Sequence, residues 1–556
     1  MWRRPEKLWI VERLGRVLPA QTGMLLGAVA FVSSLSPSLI PRAGLLQGAL
    51  AGLAFAIAYG LAVAVESAWK WLGLPLLPTR LRRRTLPASL LLTAMILVFG
   101  LSQATGWQNA IHDAMKMPPV ESARPFTIAG AATIVILLLL GIARAFRWLS
   151  SSLTAWLKIY LPKKIAIASG IFGTALFFWA IGDGILLTAG LHVLDNSYQK
   201  IDRLLPSGVS QPTATESTGS PASLIAWEGL GAQGIDWIAS RPGQREMVDL
   251  AGPAAMAPLR VYVGLNSADD VEARAALALA ELKRTGAFDR AVLVIATPTG
   301  TGWVDPAGML PVEILQRGDI ASVAVQYSYL PSWLSLIVEP EYGAETARAV
   351  FEAVYGYWRD LPPERRPRLY LFGLSLGALN SDLSADFFDI IAAPYDGALW
   401  AGPPYASKTW KEVTRTRQPE SPAWLPVFRD STLFRFRNQV GTPVSPESPW
   451  GPVRIMYLQY ASDPIVFFEW ASFWRRPAWM DQPRGADVAP QLRWVPVVTG
   501  LQLMTDMMTA TTVPAGVGHV YAAEDYLDGW LSVSAPQGWS EEGLAKLRSW
   551  LSQQGI

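Results

Sequence analysis

The chain of 556 residues contains no cysteine and only three histidines. Without cysteine it has no disulfide bond, no zinc-thiolate site and no thiol nucleophile. Charge is also scarce, because charged residues make up 17% of the chain and the formal net charge is +2. A balance this close to neutral predicts no nucleic-acid partner.

The most informative local motif is Gly-Leu-Ser-Leu-Gly at residues 373–377, which follows the apolar run 369–372. In the G-x-S-x-G nucleophile elbow, the glycines permit a turn so sharp that the serine hydroxyl stands exposed above a sheet. The pattern also occurs by chance, and the alternative is a serine in an ordinary strand-to-helix loop. The motif predicts that Ser375 is a nucleophile.

A nucleophilic serine needs a general base, and histidine suits this role because its pKa of about 6.5 lets it exchange a proton near neutrality. His112 and His192 lie in or beside long apolar segments far upstream, which leaves His519, in a glycine-containing loop. Asp463 follows a late predicted strand, where it would orient the imidazole. The order Ser375, Asp463, His519 is that of alpha/beta-hydrolases.

The first 192 residues are dominated by apolar segments long enough to cross a bilayer, which takes about 20 residues. Lysine and arginine number five before the first segment, then one, five, two and five in the following loops. Because basic residues favour the cytoplasmic side, this alternation predicts an internal N-terminus and an external position for everything beyond residue 192. The 24 tryptophans fit a protein at a membrane interface. The five predicted spans are 18–38, 43–65, 86–106, 125–143 and 165–190.

Three features of this half are open to interpretation. An alternative interpretation of the first span is a signal peptide that is cleaved. Cleavage would not change the side of the membrane on which the C-terminal domain lies. Residues 36–42, with two prolines, are expected to form a stiff outer turn. Asp183 lies in the fifth span, where an acid is a functional candidate by default. At about 1.5 Å per residue it lies about 28 Å beyond Lys164, so we expect it among the outer head groups.

Residues 193–223 are predicted to form a linker, because residues 207–223 are polar and poor in apolar side chains. Residues 224–556 alternate short branched runs with helical stretches. That alternation predicts an alpha/beta domain with a mostly parallel sheet and helices on both faces. The segment 403–452 is either a cap or an ordinary long excursion. Helices are expected at 269–285, 343–359 and 376–390. Strands are expected at 259–265, 291–297, 320–327, 368–374, 397–402 and 453–460, with another near 492–499.

Acyl transfer also needs hydrogen-bond donors for the oxyanion. One predicted donor is the amide of Leu376, and the second is an amide of the glycine-rich loop that follows the strand at 291–297. That loop lacks the lysine of a phosphate-binding loop, so nucleotide binding is not expected. The candidates in the loop are Thr299, Gly300, Thr301 and Gly302.

Residues 465–480 follow the proposed acid and are rich in aromatic side chains and arginine. Such a segment has two interpretations, a membrane-facing lid or ordinary core. Aromatic residues at helical spacing are more often core, and the sequence alone leaves both open.

With these motifs in view, the chain resembles a bacterial family of membrane alpha/beta-hydrolases whose members have a separate transmembrane N-terminal domain. The resemblance also rests on residues 36–42 and 326–333, and it extends over nearly the whole chain. It implies a serine hydrolase fold in the cytoplasmic membrane, with Ser375 as the elbow nucleophile. One departure is the helix expected at 269–285, where many alpha/beta-hydrolases have an antiparallel hairpin.

The sequence therefore predicts an integral membrane serine hydrolase, lipase-like or esterase-like, that cleaves an ester or related acyl bond of a lipid or envelope substrate. The expected chemistry uses Ser375, His519 and Asp463 with no metal or cofactor, and the expected partners are the bilayer and the acyl substrate. Transfer of the acyl group to an alcohol is the nearest alternative, and a peptidase is a further one. A non-catalytic scaffold or transport component is the alternative from another class.

Overall fold

The computed structural model describes residues 21–75, 78–187, 202, 208–331, 334–335, 340–385, 390–445 and 448–555. Parts of the first and fifth predicted spans, His192 and most of the first half of the predicted linker lie outside these ranges.

Long apolar helices fill the N-terminal part of the described chain. Four helical segments are long and apolar enough to cross a membrane, namely Gly44–Trp71, Arg80–Ala114, Pro125–Leu157 and Lys163–Gly184. The described part of the first predicted span is a shorter apolar helix of 15 residues. The helices are α1 Gln21–Leu35, α2 Gly44–Trp71, α3 Thr79–Ala114, α4 Pro125–Leu157 and α5 Lys163–Trp179, followed by a π-helical segment, Ala180–Leu187.

Small residues bring α2 and α4 close together. A Cβ atom added to Gly48 would lie 2.5 Å from the carbonyl oxygen of Ile128, and one added to Gly52 would lie 2.7 Å from that of Ala132. Close backbone approach at glycine is typical of helix pairs in membranes. Large apolar side chains on the outside of these helices are exposed, as at Ile134.

The C-terminal part contains a seven-stranded sheet with the order β1-β3-β2-β4-β5-β7-β6, in which every neighbouring pair is parallel. The central strands are buried along their whole length, as expected for a parallel sheet covered on both faces. The strands are β1 Leu259–Val263, β2 Val292–Thr297, β3 Ile320–Val325, β4 Arg368–Leu374, β5 Gly397–Ala401, β6 Phe434–Arg437 and β7 Arg454–Leu458.

Helices connect and cover these strands. Among them, α10 packs against both α8 and α11, while α15 packs against α9, β5 and β7. The helices are α6 Gly231–Ala239, α7 Gln244–Ala251, α8 Val271–Arg284, α9 Pro306–Leu315, α10 Pro340–Asp360, α11 Leu376–Ser384, α12 Lys408–Arg415, α13 Pro464–Phe467, α14 Val498–Met508, α15 Ala523–Ser534 and α16 Glu541–Gln554.

The predicted fold class is confirmed, with two differences in detail. The strand expected near 492–499 is wrong, because α14 begins at Val498 and the preceding residues form no strand. The segment 403–452 contributes α12 and the edge strand β6, which sequence analysis did not predict. The helix α8 does lie between β1 and β2, and β1 pairs in parallel with β3, so no antiparallel hairpin stands there.

The described residues divide into two compact units. One combines the described residues of 1–189 with Phe468–Met480 and Val488–Thr509, and the other contains the described residues of 190–467 with Asp481–Asp487 and those of 510–556. Two C-terminal segments therefore pack with the N-terminal helices. Within this first unit, which we call the membrane-helix unit, Leu501 of α14 shares a buried apolar cluster with residues of α2. The predicted domain boundaries at 192 and 223 stay predictions.

Candidate active site

Ser375 stands between β4 and α11 in a backbone conformation that serine rarely adopts. Its φ is +57° and its ψ is −125°, and its side chain is buried. A non-glycine residue in such a region costs about 1–3 kcal/mol and persists only where the surroundings enforce it. The backbone amide of Ser375 donates to the carbonyl of Ala401 at the end of β5, at 2.9 Å, which fixes the turn.

The two glycines of the motif are required by close contacts. A Cβ atom added to Gly373 would lie 2.4 Å from the carbonyl carbon and oxygen of Gly377. One added to Gly377 would lie 2.2 Å from the carbonyl oxygen of Thr297, at the end of β2. No side chain fits at either position, so the elbow packs directly on the loop that follows β2.

His519 and Asp463 are in direct contact. Nδ1 of His519 lies 2.7 Å from Oδ2 of Asp463, and the aspartate is fully buried. Its other oxygen accepts from the amide of Ile465 at 2.9 Å. Because a carboxylate only accepts, Nδ1 carries the proton and Nε2 is the basic nitrogen. Nε2 is buried and has no hydrogen-bond partner among the residues that the structure describes.

The loop that carries His519 is held by hydrogen bonds on both sides. The amide of His519 donates to the carbonyl of Ala510 at 3.0 Å, and the amide of Gly518 donates to the hydroxyl of Ser462 at 2.8 Å. That hydroxyl in turn donates to the buried carboxylate of Asp487 at 2.6 Å. These bonds tie the histidine loop to the residue directly before Asp463.

Ser375 and His519 meet the same end of β5. Ala401 accepts from the amide of Ser375, and the next residue, Gly402, is so near the imidazole that an added Cβ would lie 2.6 Å from Cε1 of His519. Among the described residues, no hydrogen bond joins the Ser375 hydroxyl to His519. The structure thus pairs His519 with Asp463 and brings Ser375 to the neighbouring strand end.

The glycine-rich loop uses two of its predicted donor amides internally. The amide of Thr299 donates to the carbonyl of Trp303, and the amide of Gly302 donates to the carbonyl of Thr299, each at 2.9 Å. The amide of Leu376 is in the first turn of α11, where amides have no partner within the helix. The oxyanion hole remains a proposal, and these contacts leave Leu376 and, in the loop, Gly300 and Thr301 as its candidate donors.

Sequence analysis missed a tyrosine that shares the carboxylate of Asp463. The hydroxyl of Tyr521 donates to Oδ2 of Asp463 at 2.6 Å. Burial raises the pKa of Tyr521 far above its ordinary value, and the charge of Asp463 raises it further, so the phenol stays a donor. Tyr521 follows His519 by two residues in the same loop, and no sequence motif singles it out.

A second buried carboxylate, that of Asp305, is linked to the site through Tyr526, whose ring centroid lies 6.1 Å from that of Tyr521. It caps the start of α9 by accepting from the amide of Ala307 at 2.9 Å, and it accepts from the hydroxyl of Tyr526 at 2.9 Å. Burial raises the pKa of Asp305 to about 6, although the hydrogen bond from Tyr526 and the charge of His519 lower it. No sequence pattern singled out this residue.

Two family models match the chain. A model described as an alpha/beta-hydrolase family matches residues 259–547, which is more than half of the chain. The chain belongs to this alpha/beta-hydrolase family. A second model, described as the N-terminus of an alpha/beta-hydrolase family, matches residues 35–242, so the hydrolase domain and the distinct N-terminal region are both accounted for. No curated protein and no solved structure matches this alpha/beta-hydrolase.

Proposed function

We propose that the protein is an integral membrane serine hydrolase in which Ser375, His519 and Asp463 act as a catalytic triad. The observation that carries the proposal is the convergence of a strained serine, φ +57°, with an imidazole whose Nε2 is unpaired within the described part of the chain. Both lie at the end of β5, and the imidazole is oriented by a buried carboxylate.

In this mechanism the Ser375 hydroxyl attacks the ester carbonyl while Nε2 of His519 takes its proton. Asp463 stabilises the imidazolium that forms, and the amide of Leu376 together with an amide of Gly300 or Thr301 stabilises the oxyanion. The imidazolium then protonates the leaving alcohol, which gives an acyl-enzyme on Ser375. Water, deprotonated by His519, releases the acid and restores the serine.

The membrane-helix unit favours a substrate found at a lipid surface. Its candidate spans expose large apolar side chains, such as Phe172 with 71% exposure, which suits contact with lipid tails. A hydrolase domain tethered in this way fits a lipid ester or an envelope ester. We propose that this membrane is a bacterial cytoplasmic membrane. Lysine and arginine are numerous in alternate loops, which favours an internal N-terminus and an external hydrolase domain.

The decisive experiment is labelling of the solubilised full-length protein by a fluorophosphonate probe. Labelling should be abolished by Ser375→Ala and by His519→Ala, and it should be unchanged by Ser549→Ala, an exposed serine on α16. Absence of labelling in well-folded unaltered protein, both in detergent and in lipid nanodiscs, would contradict the proposal and favour a scaffold. Labelling together with acyl transfer to an added alcohol, in preference to water, would favour an acyltransferase.

A further inference from the structure

The side chains of α14 are arranged in the reverse of the usual pattern for a helix at an aqueous surface. Gln502 and Asp506 are buried within the membrane-helix unit, where the amide of Gln502 donates to the carbonyl of Ser36 at 3.0 Å. The exposed side chains of α14 are both apolar, Met504 with 38% exposure and Met508 with 57%. A helix that faces water buries its apolar side and exposes its polar side. The reversed arrangement favours a neighbour other than water for the exposed side of α14.

A second exposed apolar surface adjoins this helix. Trp470 is 57% exposed and Trp474 is 69% exposed, and the ring of Trp470 stacks on that of Phe473 with 6.1 Å between the centroids. Phe473 is fixed to α14, because its carbonyl accepts from the amide of Val497 at 2.7 Å and a Cβ added to Gly500 would lie 2.4 Å from its ring. The name Trp-Met patch is used below for the side chains of Trp470, Trp474, Met504 and Met508.

The helices of the same unit indicate the level of the bilayer at which α14 lies. A cluster of arginines that ends at Arg84 marks one end of α3. About 20 residues of helix beyond Arg84 reach Ala104 and span about 30 Å, the thickness of a hydrocarbon core. Ala104 shares a buried apolar cluster with Ala51 of α2, and the preceding residue, Leu50, shares another with Leu501 of α14. When α3 crosses a bilayer, α14 therefore lies level with the boundary opposite the arginines.

The residues around the patch suit the boundary between hydrocarbon and water. Tryptophan is enriched at this level because its ring is apolar and its indole N–H is polar. Two exposed arginines adjoin the patch, Arg475 directly after Trp474 and Arg493 directly before Trp494. The indole of Trp494 donates to the carbonyl of Ser472 at 2.8 Å, which joins the two segments that carry these arginines. Basic side chains at a membrane surface attract the phosphates of anionic lipids.

We propose that α14 and the segment Phe468–Met480 form an interfacial anchor, in which the Trp-Met patch enters the head-group layer and Arg475 and Arg493 contact anionic phosphates. This inference rests on the proposed membrane location, and it adds to the candidate spans two segments from the C-terminal part of the chain. Segments of this kind lie in the plane of the membrane, with apolar side chains about 5–10 Å into the boundary between head groups and acyl chains. Lipid then covers the side of α14 that the protein leaves exposed.

The test uses single cysteines, because the chain has none of its own. Trp474→Cys and Met508→Cys are labelled with a nitrobenzoxadiazole maleimide, and the full-length proteins are placed in nanodiscs of phosphatidylcholine and phosphatidylglycerol. Added lipids carry a quenching nitroxide either near the head group or near the end of the acyl chain. We expect the shallow nitroxide to quench both labels about twofold more strongly than the deep one.

Two control positions bracket this result. Leu138→Cys replaces a residue with 61% exposure near the middle of the candidate span Pro125–Leu157, and its label should be quenched most strongly by the deep nitroxide. Ser549→Cys replaces an exposed residue of α16 in the hydrolase domain, and its label should be quenched by neither lipid.

The contribution of the arginines is measured as a lipid preference. In the Met508→Cys protein, quenching by phosphatidylglycerol with a shallow nitroxide should exceed quenching by the same derivative of phosphatidylcholine about threefold. The combined variant Arg475→Gln, Arg493→Gln should bring this ratio close to one. Arg245→Gln, at an exposed arginine of α7, should leave the ratio unchanged.

The outcomes separate the anchor from the membrane location on which it rests. Deep quenching at residue 138 without quenching at 474 and 508 would overturn the anchor and leave the membrane location standing. No quenching at residue 138 would overturn the membrane location, and the anchor with it. A lipid preference that the combined arginine variant leaves unchanged would overturn the assignment of Arg475 and Arg493 as phosphate contacts.

Discussion

Nε of Arg42 donates to Oδ1 of Asp506 at 2.8 Å, although 464 residues separate them along the chain. Both side chains are almost completely buried within the membrane-helix unit. The same carboxylate accepts from the amide of Leu39 at 3.0 Å and from the hydroxyl of Ser38 at 3.1 Å. The turn at 36–42 is therefore fixed to α14 by a buried, fully bonded ion pair.

Removing one partner of this pair should destabilise the protein strongly. Asp506→Asn leaves the Arg42 charge buried and unpaired, which typically costs about 3–5 kcal/mol of unfolding free energy. The measurement is the unfolding midpoint of the full-length protein in detergent. The matched control is Glu412→Gln, which breaks the exposed pair with Arg415 and should cost at most about 1 kcal/mol.

A double variant separates charge from packing. Arg42→Met combined with Asp506→Leu removes both charges and should recover most of the stability that Asp506→Asn loses. Equal destabilisation by Asp506→Asn and Glu412→Gln would contradict the assignment of this pair as buried.

The position of His519 should depend on the absence of a side chain at Gly402. Gly402→Ala places a methyl group 2.6 Å from Cε1 of His519 and imposes a φ of +52° on alanine, so the imidazole must move. We expect kcat to fall by about a hundredfold, as misplacement of a catalytic group by about 1 Å can do. Gly356→Ala, in an open position on α10, is the control and should stabilise the protein by about 1 kcal/mol. Unchanged kcat in Gly402→Ala would argue against His519 as the base.

Tyr521 should act through Asp463, and not on the substrate. Tyr521→Phe removes one of two hydrogen bonds to Oδ2 of Asp463 and should lower kcat by about tenfold, with KM unchanged. Asp463→Asn loses the acceptor that fixes the imidazole tautomer and should lower kcat by about 10⁴. Tyr160→Phe, at an exposed tyrosine outside the site, controls for loss of a hydroxyl. A rise in KM alone in Tyr521→Phe would indicate substrate contact instead.

Asp305 should make the protein more stable at low pH than at high pH, the opposite of the effect of a carboxylate whose pKa falls on folding. Its pKa rises from 3.8 to about 6 on folding, so the folded protein holds the proton more tightly than the unfolded chain. Protonated Asp305 stabilises the folded state below about pH 4, and this contribution is lost as the pH rises through about 6. The loss in unfolding free energy is about 3 kcal/mol. Asp305→Asn should therefore gain stability relative to the unaltered protein between pH 4 and pH 6.

The measurement is the unfolding midpoint of both proteins across this pH range. Tyr526→Phe is the companion variant, because loss of its hydrogen bond removes a contact that lowers the pKa of Asp305 and should move the transition to higher pH. A constant difference between the Asp305→Asn variant and the unaltered protein at every pH would contradict the assignment.

The sequence predicted the parts of this fold that depend on local pattern, such as β4 and the sharp turn from β4 to α11 at Ser375. It failed where tertiary contacts decide. Branched residues before α14 favoured a strand, but that segment packs with the membrane helices, and the carboxylate of Asp506 pairs with Arg42. The four-residue strand β6 is too short to be recognised without its partner β7. The pKa of Asp305 is raised because the side chain is buried, and no sequence motif indicates that burial.

In the proposed membrane topology, the side on which the hydrolase domain lies depends on whether α1 crosses the bilayer. Four described segments meet the length for a span, and α1 is shorter, so an odd number of crossings requires the first predicted span. With the N-terminus inside, five crossings put residue 549 outside and four put it inside.

Because the chain has no cysteine, an introduced cysteine is the sole thiol. We expect Ser549→Cys to react with a membrane-impermeant maleimide in intact spheroplasts, and Ser151→Cys, exposed near the end of α4, to react only after permeabilisation. Labelling of Ser549→Cys only after permeabilisation would place the hydrolase domain inside and restrict its substrates to the cytoplasmic leaflet.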